Sequence, residues 1–587
     1  MSPAPLVPSA APALVVAAGL LIAWPAASGP PAPEAAGAGP GVTYVDVTEM
    51  AGLSFRHTHG GGGPVPKRYY TETMCGGIAF ADYDGDGYLD VYAVNGQDLA
   101  DPAAPRATNH LFRNRGDGTF ADVTAATHSG DEGYGMGVTA GDYDSDGDVD
   151  LYVTNFGRNV LLRNGRGQDA GGHVFEDVTL AAGVGDSLWG VGVAFLDYDN
   201  DGDLDLYVAN YLDYHLADAD RRLRPYVARG TEAVSAMGYP HPDNFPGAPD
   251  VLYRNDGRAF ADVTRPAGVY NPAGKGMGMA VADYDDDGDV DVFVANDQTE
   301  NFLWENRGDG TFVDVGLLSG TAYDRDGRLQ SGMGADFGDY NADGRLDLFV
   351  TVYQGESNAL YANEGHGFFS EMAYPAGLAI PSLPFVSWGN AFLDYDNDGR
   401  RDLFVANGHV LDNAEVFDSS THFRMPDQLF RNLGQDGHGQ WRFAEVGADV
   451  GSAVRSLHAS RGAAAGDYDN DGDTDLLVLY LNERAALLRN DGGNANHWIG
   501  VRPVGRQSNR DGLGARVRVL AGDLVQVDQV LAGGSYLSQS DLRLHFGLGR
   551  RTAVDEIEVR WPSGAVDRLG PVGADQVITV AEGQTRR

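Results

Sequence analysis

The chain alternates short apolar runs with clusters of acids. The clearest runs are Leu151-Tyr-Val-Thr-Asn155, Leu206-Tyr-Val-Ala-Asn210, Val292-Phe-Val-Ala-Asn296 and Leu403-Phe-Val-Ala-Asn407. Their length and their β-branched and aromatic content predict strands. A second strand precedes each acid cluster. Five residues before the first acid stands glycine: Gly77, Gly137, Gly192, Gly278, Gly334, Gly389 or Gly462. Seven residues before it stands a small residue: Cys75, Gly135, Gly190, Gly276, Gly332, Ser387 or Ser460. Larger groups such as Met136, Val191, Met277, Met333 and Trp388 lie between. Residues two apart share a strand face, so one face is bare. A bare face predicts crowding by a neighbour, as where propeller blades converge on an axis.

A third strand has the form Asn-x-Leu-Phe-x-Asn, as in Asn109-His-Leu-Phe-Arg-Asn114 and Asn301-Phe-Leu-Trp-Glu-Asn306. A Gly-rich hairpin turn follows, Arg115-Gly-Asp-Gly-Thr119 or Arg307-Gly-Asp-Gly-Thr311. The fourth strand reads Phe120-Ala-Asp-Val-Thr124, Phe175-Glu-Asp-Val-Thr179 or Phe260-Ala-Asp-Val-Thr264. Seven such units predict an all-β fold, a seven-bladed β-propeller. The seventh unit stops at Asn490 without its fourth strand. Tyr44-Val-Asp-Val-Thr48 supplies it, so an N-terminal strand is expected to close the ring and remove the open edges. From Asn494 the pattern changes to plain alternation, in Asn496-His-Trp-Ile-Gly-Val501, Gly514-Ala-Arg-Val-Arg-Val519, Leu524-Val-Gln-Val-Asp-Gln-Val530 and Ile557-Glu-Val-Arg-Trp561. These predict a small C-terminal all-β, sandwich-like domain. Its arginines suit a seat against the acidic propeller.

The acid clusters are one nonapeptide repeated seven times. In Asp142-Tyr-Asp144-Ser-Asp146-Gly147-Asp148-Val-Asp150, acids stand at positions 1, 3, 5 and 9 and glycine at position 6. Side-chain oxygens at 1, 3, 5 and 9 and a main-chain carbonyl at 7 can wrap one hard cation; an all-oxygen set favours calcium. Loop one offers Asp82, Asp84, Asp86, Tyr88 and Asp90; loop two, Asp142, Asp144, Asp146, Asp148 and Asp150. Loop three offers Asp197, Asp199, Asp201, Asp203 and Asp205; loop four, Asp283, Asp285, Asp287, Asp289 and Asp291. Loop five offers Asp339, Asn341, Asp343, Arg345 and Asp347; loop six, Asp394, Asp396, Asp398, Arg400 and Asp402. Loop seven offers Asp467, Asp469, Asp471, Asp473 and Asp475. Up to seven Ca2+ ions are expected, with loop five the weakest for its Asn341 and Arg345. An EF-hand is excluded, because position 12 is Ala93 or Val153 and the flanks read as strands. Directly consecutive β-helix nonapeptides are excluded too, since these loops lie 55 to 86 residues apart.

Formal charge is -42, and 27 of the negative charges are the loop acids at positions 1, 3, 5 and 9. Seven divalent ions would leave -28, which argues against nucleic acid or an anionic membrane as partner. Residues 13–24 form an apolar run of signal-peptide length, followed by Ala26-Ala27-Ser28. The run has no preceding Lys or Arg, and a single-pass anchor is the alternative, though it is short for a span of ~20 residues. The expected organisation is 1–28 signal peptide, 29–41 Pro/Ala/Gly linker, 42–493 propeller, 494–583 C-terminal domain and 584–587 tail. Cys75 is the only cysteine, so no internal disulfide forms, and it reads as a small buried filler. Export to a secreted, periplasmic or cell-surface location would supply the calcium.

The repeats resemble the FG-GAP/VCBS class of calcium propeller units. The last domain resembles an ASPIC/UnbV domain, on Asn496-His-Trp498, Ser508-Asn-Arg-Asp511, Gly514-Ala-Arg516, Ser535-Tyr-Leu-Ser-Gln-Ser540, His545-Phe-Gly-Leu-Gly549 and Val559-Arg-Trp-Pro-Ser-Gly564. Together they resemble the cartilage acidic protein family in its bacterial form, without the EGF-like tail of some animal members. Relatives often carry a cysteine pair in the insertion that here spans 211–250, and this chain has none there. The resemblance implies architecture more than task.

The rim opposite the acidic loops carries the long insertions 96–108, 211–250 and 408–426. Tyr134, Trp189, Lys275, Trp388, His409, His458 and Arg461 are its candidate ligand residues. The first reading is a non-enzymatic recognition or adhesion protein binding a glycan or protein there. The second is a calcium-dependent carbohydrate lyase or hydrolase using that rim, with His57, His59 and Glu72 nearby, although no nucleophile elbow, zinc motif or phosphate loop is present. The third is a structural surface-assembly protein.

Overall fold

The computed structural model describes residues 41–60, 69–101, 103–167, 172–218, 239–257 and 259–585, and the backbone of 225–226 and 236–237. The apolar run 13–24 and the linker up to residue 40 lie outside the described residues.

Seven four-stranded antiparallel sheets follow the repeat. Blade one is Ile78–Ala81, Asp90–Ala93, His110–Asn114 and Phe120–Asp122. The innermost strands of blades two to seven are Gly135–Gly141, Gly190–Leu196, Gly276–Ala282, Ala335–Gly338, Ser387–Leu393 and Ser460–Gly466. Each packs on the next, and the seventh packs on the first, so the ring closes. Blade seven is completed by Thr43–Asp46, paired antiparallel to Ala486–Asp491 with Tyr44 opposite Asn490. The N-terminal strand therefore closes the propeller.

The bare face has a specific cause. A Cβ on Gly137 would come within 2.7 Å of the Val191 carbonyl, and one on Gly278 within 2.1 Å of the Met333 carbonyl. A Cβ on Gly462 would meet the Gly76 carbonyl at 2.5 Å, across the closure. Glycine is there because a neighbouring backbone occupies the space a side chain would need.

The fourth strands are shorter than the Phe-x-Asp-Val-Thr pattern predicts. Blade two keeps only Glu176–Asp177, and Thr179 already opens a helical turn. The carboxylate of Asp177 accepts from both the backbone N–H (3.0 Å) and the hydroxyl of Thr179. This local turn pulls Val-Thr out of the ladder.

The C-terminal domain has a four-stranded sheet built on Arg516–Ala521 and Glu556–Arg560, and a three-stranded sheet built on His497–Val504. Ile499, Val501, Val517, Val519, Phe546 and Val559 fill its core. Its segment Gly533–Asp541 enters the propeller axis. The Ser535 hydroxyl donates to the Ala463 carbonyl (2.8 Å) and accepts from the Asn390 N–H (3.1 Å). Gln539 accepts from the Thr139 hydroxyl and the Ala140 N–H, and donates to the Ala140 carbonyl at 3.0 Å. The plug thus satisfies inner-strand polar groups that would otherwise face an axial void.

Candidate metal centres

Each acidic loop joins the innermost strand of a blade to the second, so all seven open on one rim. Three hydrogen-bond patterns recur in all seven. The position 1 carboxylate accepts from the N–H of the position 6 glycine, as Asp142 does from Gly147 at 2.8 Å and Asp394 from Gly399 at 2.7 Å. The position 5 carboxylate accepts from the N–H at position 7, as Asp146 does from Asp148 at 2.9 Å. The position 9 carboxylate is held on both oxygens. Asp150 accepts from the N–H of Tyr143 (3.2 Å) and of Asn164 (2.7 Å).

The trios Asp82, Asp84 and Asp90; Asp197, Asp199 and Asp205; Asp283, Asp285 and Asp291; and Asp394, Asp396 and Asp402 each bring carboxylate oxygens within 4.8 Å of one another. These are positions 1, 3 and 9. In loop two the trio is Asp142, Asp144 and Asp146. Position 5 thus joins the trio in loop two, while in loops one, three, four and six position 9 does. The position 7 acids Asp148, Asp203 and Asp289 stay outside the trios of loops two, three and four; at Tyr88, Asp148, Asp203, Asp289, Arg345, Arg400 and Asp473 the expected contribution is the main-chain carbonyl.

Burial, followed by neighbouring acids, pushes these carboxyls far above the usual range. Asp90, Asp150 and Asp205 rise to about 9, and Asp142, Asp197 and Asp467 to about 7. Buried oxygens of Asp82, Asp84, Asp144, Asp197, Asp396 and Asp469 receive no hydrogen bond. A crowd of desolvated carboxylates with unused lone pairs is unfavourable alone and fits one hard divalent cation. The donor set therefore fits calcium in chemistry and in unused coordination. Among the described residues, arginines of the propeller itself pair with acids of three of the loops. Arg113 contacts Asp86 at 3.1 Å and pairs with Asp84; Arg431 contacts Asp396 at 2.8 Å; Arg345 pairs with Asp343.

A role that sequence reasoning missed belongs to the last asparagine of each third strand. Asn164 Nδ2 donates to the Val149 carbonyl of its own loop and, at 2.8 Å, to the Tyr83 carbonyl of the previous blade's loop. The same inter-blade bond joins Asn255 to Tyr143, Asn306 to Tyr198, Asn363 to Tyr284, Asn432 to Tyr340 and Asn490 to Tyr395. Asn114 closes the circle on Tyr468 at 2.9 Å. The signal was the invariant spacing inside Asn-x-Leu-Phe-x-Asn, where an asparagine interrupts an apolar strand.

The C-terminal domain lies on this rim. Arg510 stands 3.6 Å from Asp142, Arg502 3.8 Å from Asp82, and Arg516 and Arg560 3.6 and 3.4 Å from Asp286. Arg543 donates to the Asp467 carbonyl at 2.8 Å. The buried Asp511 carboxylate accepts from the Asp142 N–H at 2.7 Å, and Gln529 Oε1 from the Asp283 N–H at 3.1 Å. A cavity of about 500 Å3 remains between loops one and two and the strand carrying Arg502.

The opposite rim differs from the expectation of an open ligand surface. Tyr134, Trp189, Lys275, Trp388, His409 and Arg461 are all buried there. Tyr134, Trp189 and Trp388 pack with Tyr70, Tyr211, Tyr214 and Phe245 into one cluster. The insertions that were expected to frame a site instead cover it, because aromatic side chains at the blade tops gain by excluding water. Lys275 pairs with Asp243 at 3.0 Å. Arg461 donates to the carbonyls of Thr73, Gly408, Ser460 and His409 and lies 4.0 Å from the Trp388 ring centroid. Of the seven, only His458 keeps partial exposure. His57, His59 and Glu72 are buried as well.

The FG-GAP-like repeat profile matches residues 82–153, 142–208, 283–350, 339–405 and 394–478, more than half of the chain. The ASPIC and UnbV profile matches 505–587. Cartilage acidic protein 1 of Homo sapiens is 28% identical over 83% of this chain and 68% of its own length. The Xenopus tropicalis protein of that name is 26% identical over 84% and 70%. Among solved structures, BBS1N in complex with ARL6DN, soaked with lead, aligns over 76% of this chain and 96% of its own at 11% identity and a TM-score of 0.38. The exotype rhamnogalacturonan lyase YesX aligns over 76% and 75% at 14% identity and a TM-score of 0.33. By its repeats the chain belongs to the FG-GAP-like repeat family, with an ASPIC and UnbV domain at its end and a similarity to cartilage acidic protein 1 across most of its length.

Proposed function

We propose that this is an exported, calcium-stabilised propeller that recognises a glycan or protein with the rim opposite its metal loops. The observation that carries the reading is the seat of the C-terminal domain, which covers the acidic rim with arginines and plugs the axis. That leaves the rim bearing the insertions as the free face of the propeller. Hard oxygen ligands of millimolar-calcium type suit an extracellular setting. Among the described residues no helix is long and apolar enough to cross a membrane. Calcium at loops one to seven would be held by the position 1, 3, 5 and 9 side chains, and would supply charge neutralisation and rigidity rather than chemistry on a substrate.

The test is a screen of glycans and proteins against the full chain, with and without calcium. Any hit would be mapped by cross-linking. Cross-links on the 96–108, 408–426 or 482–485 segments are expected. Cross-links confined to the outer face of the C-terminal domain would overturn the reading.

A further inference from the structure

Between blades six and seven, on the rim away from the metal loops, lies an open groove of about 670 Å3, lined among others by Asp46, Glu49, Arg56, Arg424, His458 and Arg484. Its volume is in the range of ligand clefts. Its lining sets Arg56, Arg424 and Arg484 against Asp46, Glu49 and Glu483, in a chain whose 84 acids outnumber its 42 lysines and arginines.

The arrangement of the arginines is unusual. Arg56 and Arg484 are directly opposite each other in an antiparallel bridge, beside a 3.0 Å bond from the His57 N–H to the Glu483 carbonyl. Opposite residues of an antiparallel pair project from the same face, and like charges so placed repel. Arg56 is exposed and makes no ion pair among the described residues. Arg484 has only Glu49, at 3.7 Å and 91% exposed, a contact that water screens. Two arginines are therefore set side by side, held by no close ion pair among the described residues.

The third arginine is fixed. Glu483 holds Arg424 at 2.6 Å through one oxygen and His458 at 2.7 Å through the other. The His458 ring lies flat on Tyr480, with centroids 3.9 Å apart. The wall beside the paired arginines is thereby pre-organised, which lowers the ordering cost of binding.

We infer that this groove binds a sugar acid, with the ligand carboxylate held between Arg56 and Arg484. Guanidinium forks match carboxylates in a bidentate manner. Asp46 and Glu49 beside them are acceptors suited to sugar hydroxyls, and they would repel a dense polyphosphate. The proposal deepens the recognition reading and rests on it only for which rim is used.

The test uses the full calcium-loaded chain and trimannuronate, with mannotriose as the neutral counterpart and inorganic sulfate as the bare anion, by titration calorimetry. Trimannuronate is expected to bind with a salt-dependent affinity at least about tenfold above mannotriose and sulfate. The R56Q/R484Q double variant is expected to lose at least about tenfold. Its ligand-free melting temperature should be unchanged or raised, because a repulsive surface pair has been removed. Absence of trimannuronate binding, equal binding of mannotriose or sulfate, or unchanged binding by the double variant would each overturn the inference. If trimannuronate fails while a ligand from the wider screen cross-links elsewhere on the same rim, the recognition reading stands and this clamp falls.

Discussion

The hydroxyl of Tyr536 donates a 2.7 Å hydrogen bond to the carbonyl of Met74, and both residues are buried. The tyrosine belongs to the C-terminal domain; the methionine sits above the first inner strand. The plug therefore reaches the end of that strand opposite its metal loop. The Tyr536 ring also packs on Trp388, with centroids 4.9 Å apart. Tyr536→Phe should cost about 1–1.5 kcal/mol through one lost buried hydrogen bond. Tyr536→Ala should cost about 3–5 kcal/mol, by leaving a cavity at the axis. Urea denaturation checks both, and midpoints equal to the parent's for both variants would show that the plug does not stabilise the ring.

Metal removal should destabilise the protein strongly. Each loop holds desolvated carboxylates with unused oxygens, and an ion that binds only the folded form adds about 2.7 kcal/mol per site at 100 times its Kd. Excess EDTA should lower the melting temperature by many degrees, and calcium should restore it at lower concentration than magnesium. A melting curve indifferent to chelation would contradict the metal assignment.

Loop five should be the weakest site. Arg345 donates from Nε to the Asn363 carbonyl at 2.6 Å and pairs through its terminal nitrogen with Asp343. That arginine ties up one of the few acids the loop has, and Asn341 supplies no charge. Calcium bound per chain, counted by elemental analysis at limiting free calcium, should be one lower than at saturation. The N341D/R345D variant should regain that equivalent at the limiting concentration.

Much of this architecture was legible in the chain because it depends on local spacing. The glycine five before each loop marks inter-blade contact, and Tyr44 through Thr48 revealed the closing strand by matching the fourth-strand pattern. The opposite rim was not legible. Trp189 and Trp388 read as exposed tips from their strand positions alone, since strand periodicity says nothing about an insertion folding over the strand end. The plug was missed for a related reason. The propeller partners of Ser535, Ser538 and Gln539 lie 72 to 460 positions away, so no local pattern announces them.

A pH dependence follows from two substitutions within the repeat. At the start of the third strand, Asn109, Asn159, Asn301 and Asn358 each accept, through the side-chain oxygen, a backbone N–H at the end of the second-strand segment. Blades three and six carry Asp250 and Asp427 instead, and their carboxyls accept the same bond from Asn210 and Asn407 at 2.8 Å. Both are buried, and burial pushes each up to about 7. A carboxyl raised in the folded state binds its proton more tightly there than in the unfolded chain. Its stabilisation is therefore full below the unfolded value of about 4 and is lost as pH rises through about 7. Asparagine keeps the acceptor without the charge. The D250N/D427N variant, measured by chemical denaturation at saturating calcium, should match the parent near pH 4. At pH 8 it should be more stable by about 1–3 kcal/mol per site, a range set by how far each buried carboxyl resists ionising. Parallel pH profiles for the two proteins would show that these carboxyls ionise without cost, contrary to their burial.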